Sequence, residues 1–202
     1  KNAVRAMELL KKHGCLFGMS VCYTSENVSF VTSDEFLDTM ISLGVKFGLY
    51  FNFMPVGHDA PTELIPTPAQ REHMYKWLRK TRNGETGKPL FVMDFQDDGE
   101  YVGGCIAGGR NYFHINSAGD MEPCVFIHFS DSNIREKTIL EGLKSPLFMA
   151  FRRGQPFNDN HLRPCPMLEN PQCLRSIIEE TGAKSTNLLG EETADCLCSK
   201  CD

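Results

Sequence analysis

Two cysteines stand at the ends of a candidate β-hairpin, and their placement constrains the fold of this chain more than any other feature. Cys105 comes just before the first strand and Cys124 late in the second, in the stretch CIAGGRNYFHINSAGDMEPC. The predicted hairpin covers residues 110–126 and turns at 117–120, where Gly119 supplies the positive φ that closes the turn. Pairing of the strands is expected to bring the two thiols toward one site.

Two further cysteines complete a candidate ligand set. Cys165 lies between prolines, which hold the backbone extended and stiff, and Cys173 falls in the first turn of a predicted helix, whose positive end favours a thiolate. Four such cysteines are the usual complement of a [4Fe-4S] cluster or a structural zinc. The alternative is four buried cysteines that act as small hydrophobes. The flanking Gly and Pro favour ligation, and they leave zinc and iron-sulfur open.

The composition and net charge argue against a secreted, membrane-spanning or nucleic-acid-binding protein. The chain has nine cysteines and nothing that indicates export. A reducing compartment favours thiolate chemistry or metal ligation over disulfides, and of the two we expect metal ligation. No apolar run approaches the roughly 20 residues of a membrane helix, so we expect a cytoplasmic protein without a membrane partner. The net charge of -5 offers no basic face to nucleic acid, which argues against a nucleic-acid partner.

Helices and strands alternate over the first half of the sequence. Ser33 and Thr67 are predicted helix caps, and Thr67 opens a capping box with Gln70. The alternation is typical of parallel βα units, so we predict an α/β domain over residues 1–97. The predicted elements are, in order, a helix to residue 14, a strand at 16–23, a helix at 34–43, a strand at 45–54, a helix at 67–82 and a strand at 90–95.

The second half, residues 98–202, is richer in Gly, Pro and Cys and is predicted to be α+β. Its hairpin is followed by predicted helices at 135–143, 146–153 and 172–181. The tail contains three more cysteines. These are Cys196, Cys198 and Cys201. Either they supply a further ligand or bind their own metal, or the tail is flexible, as chain ends usually are.

The cysteine spacing carries a family resemblance. Cys105, thirteen residues, Gly119, four residues and Cys124 resemble the pattern C-x(9-15)-G-x4-C that opens the auxiliary-cluster domain of radical SAM enzymes, the SPASM or twitch domain. The helix pair that follows in this domain resembles the segment SNIREKTILEGLKSPLFMAFRRG, and its next ligand segment resembles RPCP. The similarity covers about residues 98–175. The full SPASM pattern continues with CxxC-x5-C-x3-C, whereas here Cys165 and Cys173 are separated by seven residues. The resemblance therefore implies a single-cluster, twitch-like arrangement on these four cysteines.

The first half resembles the last βα units of a radical SAM partial barrel, approximately its fifth and sixth strands, through FGMSVCYTSEN and LYFNFMPVG. The implied fold is the end of a (βα)6 partial TIM barrel followed by a small Cys-rich β-hairpin and helix domain. The family's CxxxCxxC motif, which holds the SAM-cleaving cluster, and its Gly-Gly-Glu segment do not occur in this sequence. We therefore expect the carboxyl portion of a longer enzyme, as the start without Met also suggests.

The resemblance implies a radical SAM oxidoreductase, in which reductive cleavage of S-adenosylmethionine gives a radical that abstracts hydrogen from a substrate. It implies an auxiliary [4Fe-4S] cluster here, and S-adenosylmethionine with a second [4Fe-4S] cluster in the intact protein. A flavodoxin or ferredoxin is the implied electron donor, and a peptide or protein is a possible substrate. This chain alone is not expected to catalyse the reaction. The alternative hypothesis is a non-catalytic module that holds zinc or binds a peptide.

Residues at predicted strand ends are further candidates. Asp94 ends the strand LFVMDF, where active sites of parallel βα folds sit, so it is a candidate substrate or proton-transfer residue. The alternative is that its acidic segment, residues 94–100, is a solvated loop. By resemblance, Thr24, Asn27 and Pro55 contact the adenosine of S-adenosylmethionine; by default they are turn and cap residues.

Two other features receive structural interpretations. His114 alternates with Tyr112 and Asn116 on one face of the hairpin, which favours a cross-strand contact over metal ligation. Cys15 and Cys22 lie on or near the predicted strand at 16–23, and we expect them to pack rather than to react.

Overall fold

The computed structural model describes residues 2–56, 60–188 and 190. They belong to two compact units: one of Lys1–Pro55 with Pro61–Asp98, the other of Val56–Ala60 with Gly99–Asp202. No helix in these described residues is both long enough and apolar enough to span a membrane.

The first unit is built on a three-stranded parallel sheet in the order β1-β2-β3. Gly18 lies opposite Phe47, and Phe47 lies opposite Phe91. This parallel order agrees with the alternation of helices and strands in the sequence. The elements are α1 (Asn2–Lys12), β1 (Gly18–Tyr23), α2 (Val28–Val31), α3 (Asp34–Ser42), β2 (Phe47–Asn52), a short 3-10 helix (Thr62–Leu64), α4 (Pro68–Arg82) and β3 (Phe91–Asp94).

Local signals set the helix starts in this unit. The side chain of Ser33 accepts a hydrogen bond from the amide of Phe36 at 3.2 Å, which caps α3. Thr67 and Gln70 form the reciprocal capping box, with Pro68 at the first helical position of α4. Both predicted caps are confirmed.

The two faces of the sheet differ, because strand side chains alternate between them. Tyr23, Tyr50 and Val92 are fully buried in the core that the sheet forms with its helices. On the opposite face, the ring of Phe51 stacks on that of Phe95 with 4.8 Å between centroids. Phe95 remains 37% exposed, so this second face is only partly covered within the unit.

The second unit combines short antiparallel ladders with helices. β4 pairs with β5, and β6 pairs with β7. The side chains of Leu147, Phe148 and Phe151 on α7 are fully buried. The elements are α5 (Gly99–Val102), β4 (His114–Ile115), β5 (Met121–Glu122), β6 (Phe129–Ser130), α6 (Ile139–Gly142), α7 (Pro146–Gly154), α8 (Pro171–Thr181) and β7 (Lys184–Ser185).

The helix predicted at 135–143 is shorter in the structure. Thr138 and Glu141 form a capping box, so α6 begins at Ile139 and the residues before it form a turn. The apolar pattern could not show this start, because a capping box is read from single polar residues rather than from periodicity.

Candidate metal centre

Three of the predicted ligands come from distant parts of the sequence and are neighbours in the second unit. The thiol of Cys165 interacts electrostatically with those of Cys105 and Cys124. The thiol of Cys124 also interacts with that of Cys105. All three residues are partly buried free cysteines, so the structure brings three thiols into one buried region.

Burial changes the acidity of these thiols. It raises the pKa of Cys124 to about 12 and shifts the pKa of Cys105 and Cys165 upward as well. Removal from water disfavours the charged form, so each sulfur keeps its proton at neutral pH. A metal would have to displace these protons, because cysteine binds metals as a thiolate.

Backbone amides are directed at all three sulfurs, in each case from two residues further along the chain: Ala107 for Cys105, Phe126 for Cys124 and Met167 for Cys165. The nitrogen of Ala107 is 3.4 Å from the Cys105 sulfur, and that of Leu168 is also 3.4 Å from the Cys165 sulfur. Such amides favour a thiolate over a thiol. Hydrogen bonds to sulfur also help to set the potential of iron-sulfur clusters.

Two side chains hold the turn that begins at Cys105. Nε2 of Gln155 donates to the carbonyl oxygens of Cys105 and Ala107 at 3.0 and 2.9 Å. Nη1 of Arg110 donates to the carbonyl oxygens of Gly103 and Cys105, both at 2.9 Å. The position of Cys105 is therefore fixed by contacts outside its own turn.

A second carboxamide holds the turn of Cys165 in the same way. Nδ2 of Asn170 donates to the carbonyl oxygens of Arg163 and Cys165, both at 3.0 Å. Its own oxygen accepts a hydrogen bond from Nδ2 of Asn158 at 3.0 Å. The roles of Gln155 and Asn170 were not predictable from the sequence, because nothing in their local pattern shows which distant carbonyl a carboxamide will bind.

Glycine is required where α7 packs against the Cys105 turn. Gly108 has φ +67°, and a Cβ atom built on it would lie 2.7 Å from Cβ of Phe151. Gly109 has φ +73°, and its Cβ would lie 3.0 Å from Cδ1 of Phe148 on α7 and 2.6 Å from Cδ2 of Leu143, which precedes that helix. Any side chain at these positions would force the turn away from its neighbours.

The hairpin carries a buried carboxylate that the sequence did not reveal. Glu122 is 1% exposed and lies opposite His114, whose Nδ1 is 2.7 Å from Oε2 of Glu122. Its Oε1 accepts hydrogen bonds from Nδ2 of Asn116 at 3.0 Å and from the hydroxyl of Thr186 at 2.5 Å. The cross-strand contact predicted for His114 is confirmed.

The remaining predicted cysteines behave differently. Cys173 is exposed in the first turn of α8, whereas the three clustered cysteines are partly buried. Cys196, Cys198 and Cys201 lie outside the described residues. Within the described ranges, no group of three or more His, Cys, Asp or Glu side chains is arranged to hold a single metal ion.

The prediction that Cys15 and Cys22 pack in the core is wrong, since both are exposed.

Asp94 lies at the end of β3, on the same face of the sheet as Val92, and is 1% exposed. Its Oδ1 accepts hydrogen bonds from the amides of Gln96 and Asp97, at 2.8 and 2.9 Å. This side chain therefore organises the turn after the strand. The acidic segment is not a fully solvated loop, because Asp97 is also buried and Asp98 binds Arg82 through both of its carboxylate oxygens, at 2.8 Å each.

The two buried carboxyl groups have perturbed acidities. Burial, together with the neighbouring Asp94, raises the pKa of Asp97 to about 7. Burial also raises the pKa of Asp94, although the two amides bound to it act in the opposite direction. Asp97 is the member of the pair that takes up a proton more readily, because it lacks the two amide donors that stabilise the charge on Asp94.

The three residues implied for adenosine contact lie in turns of the first unit. The hydroxyl of Thr24 accepts hydrogen bonds from the amides of Glu26 and Asn27, at 3.2 and 3.3 Å. Oδ1 of Asn27 accepts the amide of Thr24 at 2.8 Å, so the two side chains brace one turn. Pro55 is buried beyond the end of β2.

Comparison with known proteins finds a family match over part of the second unit. Residues 105–173 match the SPASM family, an iron-sulfur cluster-binding domain, and the match runs from the first to the last of the four predicted ligands. No curated protein matches the chain significantly.

Solved structures share the fold of the chain. Streptococcus suis SuiB bound to S-adenosylmethionine matches 84% of this chain and 45% of its own, with a TM-score of 0.61 and 16% identity. A second SuiB structure covers 96% of this chain and 47% of its own, with a TM-score of 0.53 and 14% identity. Native anSMEcpe with bound AdoMet and Cp18Cys peptide covers 87% of this chain and 58% of its own, with a TM-score of 0.53 and 16% identity.

The chain thus spans about half the length of the solved proteins that it resembles. The family match and the shared fold agree with the resemblance seen in the cysteine spacing. Residues 105–173 therefore match the SPASM iron-sulfur cluster-binding domain, and the chain shares the fold of SuiB and anSMEcpe.

Proposed function

We propose that this chain is the carboxyl portion of a radical SAM oxidoreductase and that its second unit holds an auxiliary [4Fe-4S] cluster. The ligands are Cys105, Cys124 and Cys165, with Cys173 as the fourth predicted ligand. The observation that carries the proposal is the convergence of three thiols, each with a backbone amide directed at its sulfur, inside the segment that matches the SPASM family.

The donor set fits such a cluster. Iron-sulfur clusters are bound by cysteine thiolates, and their potential depends on burial and on hydrogen bonds to sulfur. Here burial and amide donors occur together at three cysteines. Gln155 and Asn170 hold two of the ligand turns through their carbonyl oxygens, so these turns are organised by protein contacts.

In the intact enzyme we assign the first unit to the end of a partial barrel, with Thr24, Asn27 and Pro55 on the side that binds S-adenosylmethionine. When bound, the auxiliary cluster supplies an electron-transfer or substrate-binding centre. The residues of this chain hold it and restrict its contact with water. We assign Asp94 to the organisation of the turn after β3 rather than to proton transfer, because its Oδ1 is already bound by two amides.

A peptide or protein is the proposed substrate, since a solved protein with this fold is described with a bound peptide. A flavodoxin or ferredoxin is the proposed electron donor, and the cytoplasm is the proposed location. The tail cysteines, Cys196, Cys198 and Cys201, are proposed to supply a further ligand or to bind their own metal.

The test is the metal and sulfide content of anaerobically prepared protein, with its absorption spectrum. We expect about four iron and four sulfide per chain and a band that bleaches on reduction. Alanine at Cys105, Cys124 or Cys165 should abolish them, whereas the matched variants Cys15→Ala and Cys22→Ala, both at exposed cysteines, should not. Zinc without sulfide would instead establish the zinc-binding module, and no metal in the wild-type chain would contradict both.

A further inference from the structure

Tyr112 and Cys124 are neighbours at the open end of the hairpin. The ladder pairs Ile115 with Met121 and His114 with Glu122 and ends there, so Tyr112 and Cys124 each stand two residues beyond its last pair. The hydroxyl of Tyr112 is held by the backbone of the residue that follows Cys124. It also interacts electrostatically with the sulfur of Cys124.

The orientation of the Tyr112 hydroxyl is fixed by the next residue in the chain. The amide of Val125 donates to the oxygen of Tyr112 at 3.0 Å. A phenol has one proton to donate and lone pairs with which to accept. A thiolate sulfur can only accept a hydrogen bond, so the hydroxyl proton is the group that can bind Cys124 when its sulfur is ionised. Val125 follows Cys124 directly, so one backbone segment positions both the hydroxyl and the sulfur.

We propose that Tyr112 donates a hydrogen bond to the Cys124 thiolate when that sulfur binds the auxiliary cluster, and thereby raises the reduction potential of the cluster. The inference rests on the proposed function, since it requires the cluster. A donor withdraws negative charge from the sulfur and so favours the reduced state, which carries one more electron. Tyr112 is a positioning residue in this scheme, because it acts through Cys124.

The hydroxyl adds to a pattern that the three ligands otherwise share. Each sulfur has its amide donor from two residues further on, and these amides belong to the backbone. Among the described contacts, the hydroxyl at Cys124 is a side-chain donor in addition. Tyr112→Phe removes this donor and leaves the three amides in place, but it also removes the acceptor of the Val125 amide. A variant that changes the donor strength and keeps the oxygen separates the two effects.

The experiment compares reconstituted wild-type protein with Tyr112→Phe over the full chain. Iron and sulfide are measured first, and then the midpoint potential is determined by titration followed by electron paramagnetic resonance. We expect equal cluster content and a lower potential in the variant. The oxidised-to-reduced equilibrium should shift about tenfold, which corresponds to about 59 mV for a one-electron couple. Tyr75→Phe, on α4 of the first unit, is the matched control and should leave the potential unchanged.

A second substitution covers the case in which Tyr112→Phe does not retain its cluster. Incorporation of 3-fluorotyrosine at position 112 keeps the ring and strengthens the donor, so the potential should move upward. Equal potentials for loaded wild-type and Tyr112→Phe proteins, or no upward shift with fluorotyrosine, would overturn the role of Tyr112 alone. A wild-type chain that binds no iron and sulfide would overturn the proposed function, and this inference with it.

Discussion

Nε2 of Gln155, at the end of α7, lies 3.0 Å from the carbonyl oxygen of Cys105, a residue 50 positions earlier in the sequence. The same nitrogen binds the carbonyl oxygen of Ala107 at 2.9 Å. One side chain thus ties both ends of the turn that presents the Cys105 sulfur and the amide directed at it.

Replacement of this carboxamide should loosen the turn. We expect Gln155→Leu to lower the free energy of unfolding by about 1 to 3 kcal/mol, because two partly buried carbonyl oxygens lose a donor. Iron content after reconstitution should fall as well. The control is Asn111→Ala, which removes an exposed carboxamide from the same segment. Full iron content in Gln155→Leu would show that the turn does not need this support.

The four predicted ligands should not be equivalent. We expect Cys165→Ala to remove more iron than Cys173→Ala, because Cys165 lies among the clustered thiols whereas Cys173 is exposed. Iron analysis of the two variants, prepared side by side, checks the order. Equal losses would mean that Cys173 moves into the cluster site when metal binds.

Alanine substitutions at two glycines with the same backbone conformation distinguish the cost of backbone strain from the cost of side-chain overpacking. Gly87 and Gly108 both have φ +67°, but a Cβ on Gly87 meets nothing within 4 Å, whereas on Gly108 it meets Phe151. Gly87→Ala should cost about 1 to 2 kcal/mol for the left-handed conformation. Gly108→Ala should cost a further 1 to 3 kcal/mol, roughly, for overpacking against α7. Urea unfolding of both variants measures the difference, and equal costs would contradict the packing contribution.

Asp97 should make the stability of the first unit depend on pH. Its folded pKa is raised from 3.8 to about 7. Over the pH window between these two values, the folded state therefore binds a proton more tightly than the unfolded state. Stability is therefore highest on the acid side and falls as the pH rises through the window. Asp97→Asn should flatten this pH dependence. At pH values above the folded pKa of Asp97, it should raise the free energy of unfolding of the first unit by about 2 kcal/mol.

Unfolding of Asp97→Asn and wild-type protein at several pH values across the window checks this expectation. The exposed Glu8 on α1 provides the control, Glu8→Gln, which should keep the wild-type profile. A profile for Asp97→Asn that runs parallel to that of the wild type would show that the carboxyl group of Asp97 does not take up the proton.

Local patterns in the sequence predicted the parts of the fold that depend on local physics. The capping box at Thr67 and the cap at Ser33 each involve residues three positions apart, so the sequence alone revealed both. The parallel sheet followed from the alternation of apolar strands with helices. The strands β6 and β7 have only two residues each and show no period from which they could be predicted.

Some residues of the candidate site were likewise predictable from local sequence, whereas others depend on contacts between distant segments. Cys105 and Cys124 were predicted because a glycine turn and a spacing place them on one hairpin. Gln155 was not, since its partner is 50 residues away and only the packing of α7 brings them together. Asp94 was recognised as a strand-end residue, but its burial and its two amide partners depend on how the following turn folds.

The packing of α7 on Gly108 and Gly109 has a consequence for comparing relatives of this protein. Phe151 fits only against a residue without a side chain, and Gln155 on the same helical segment reaches the carbonyl oxygen of Cys105. Substitutions in α7 and in residues 105–109 should therefore be non-additive and should covary among homologues. A chimera that exchanges either segment alone should lose the arrangement of its cysteine, whereas one that exchanges both together should keep it.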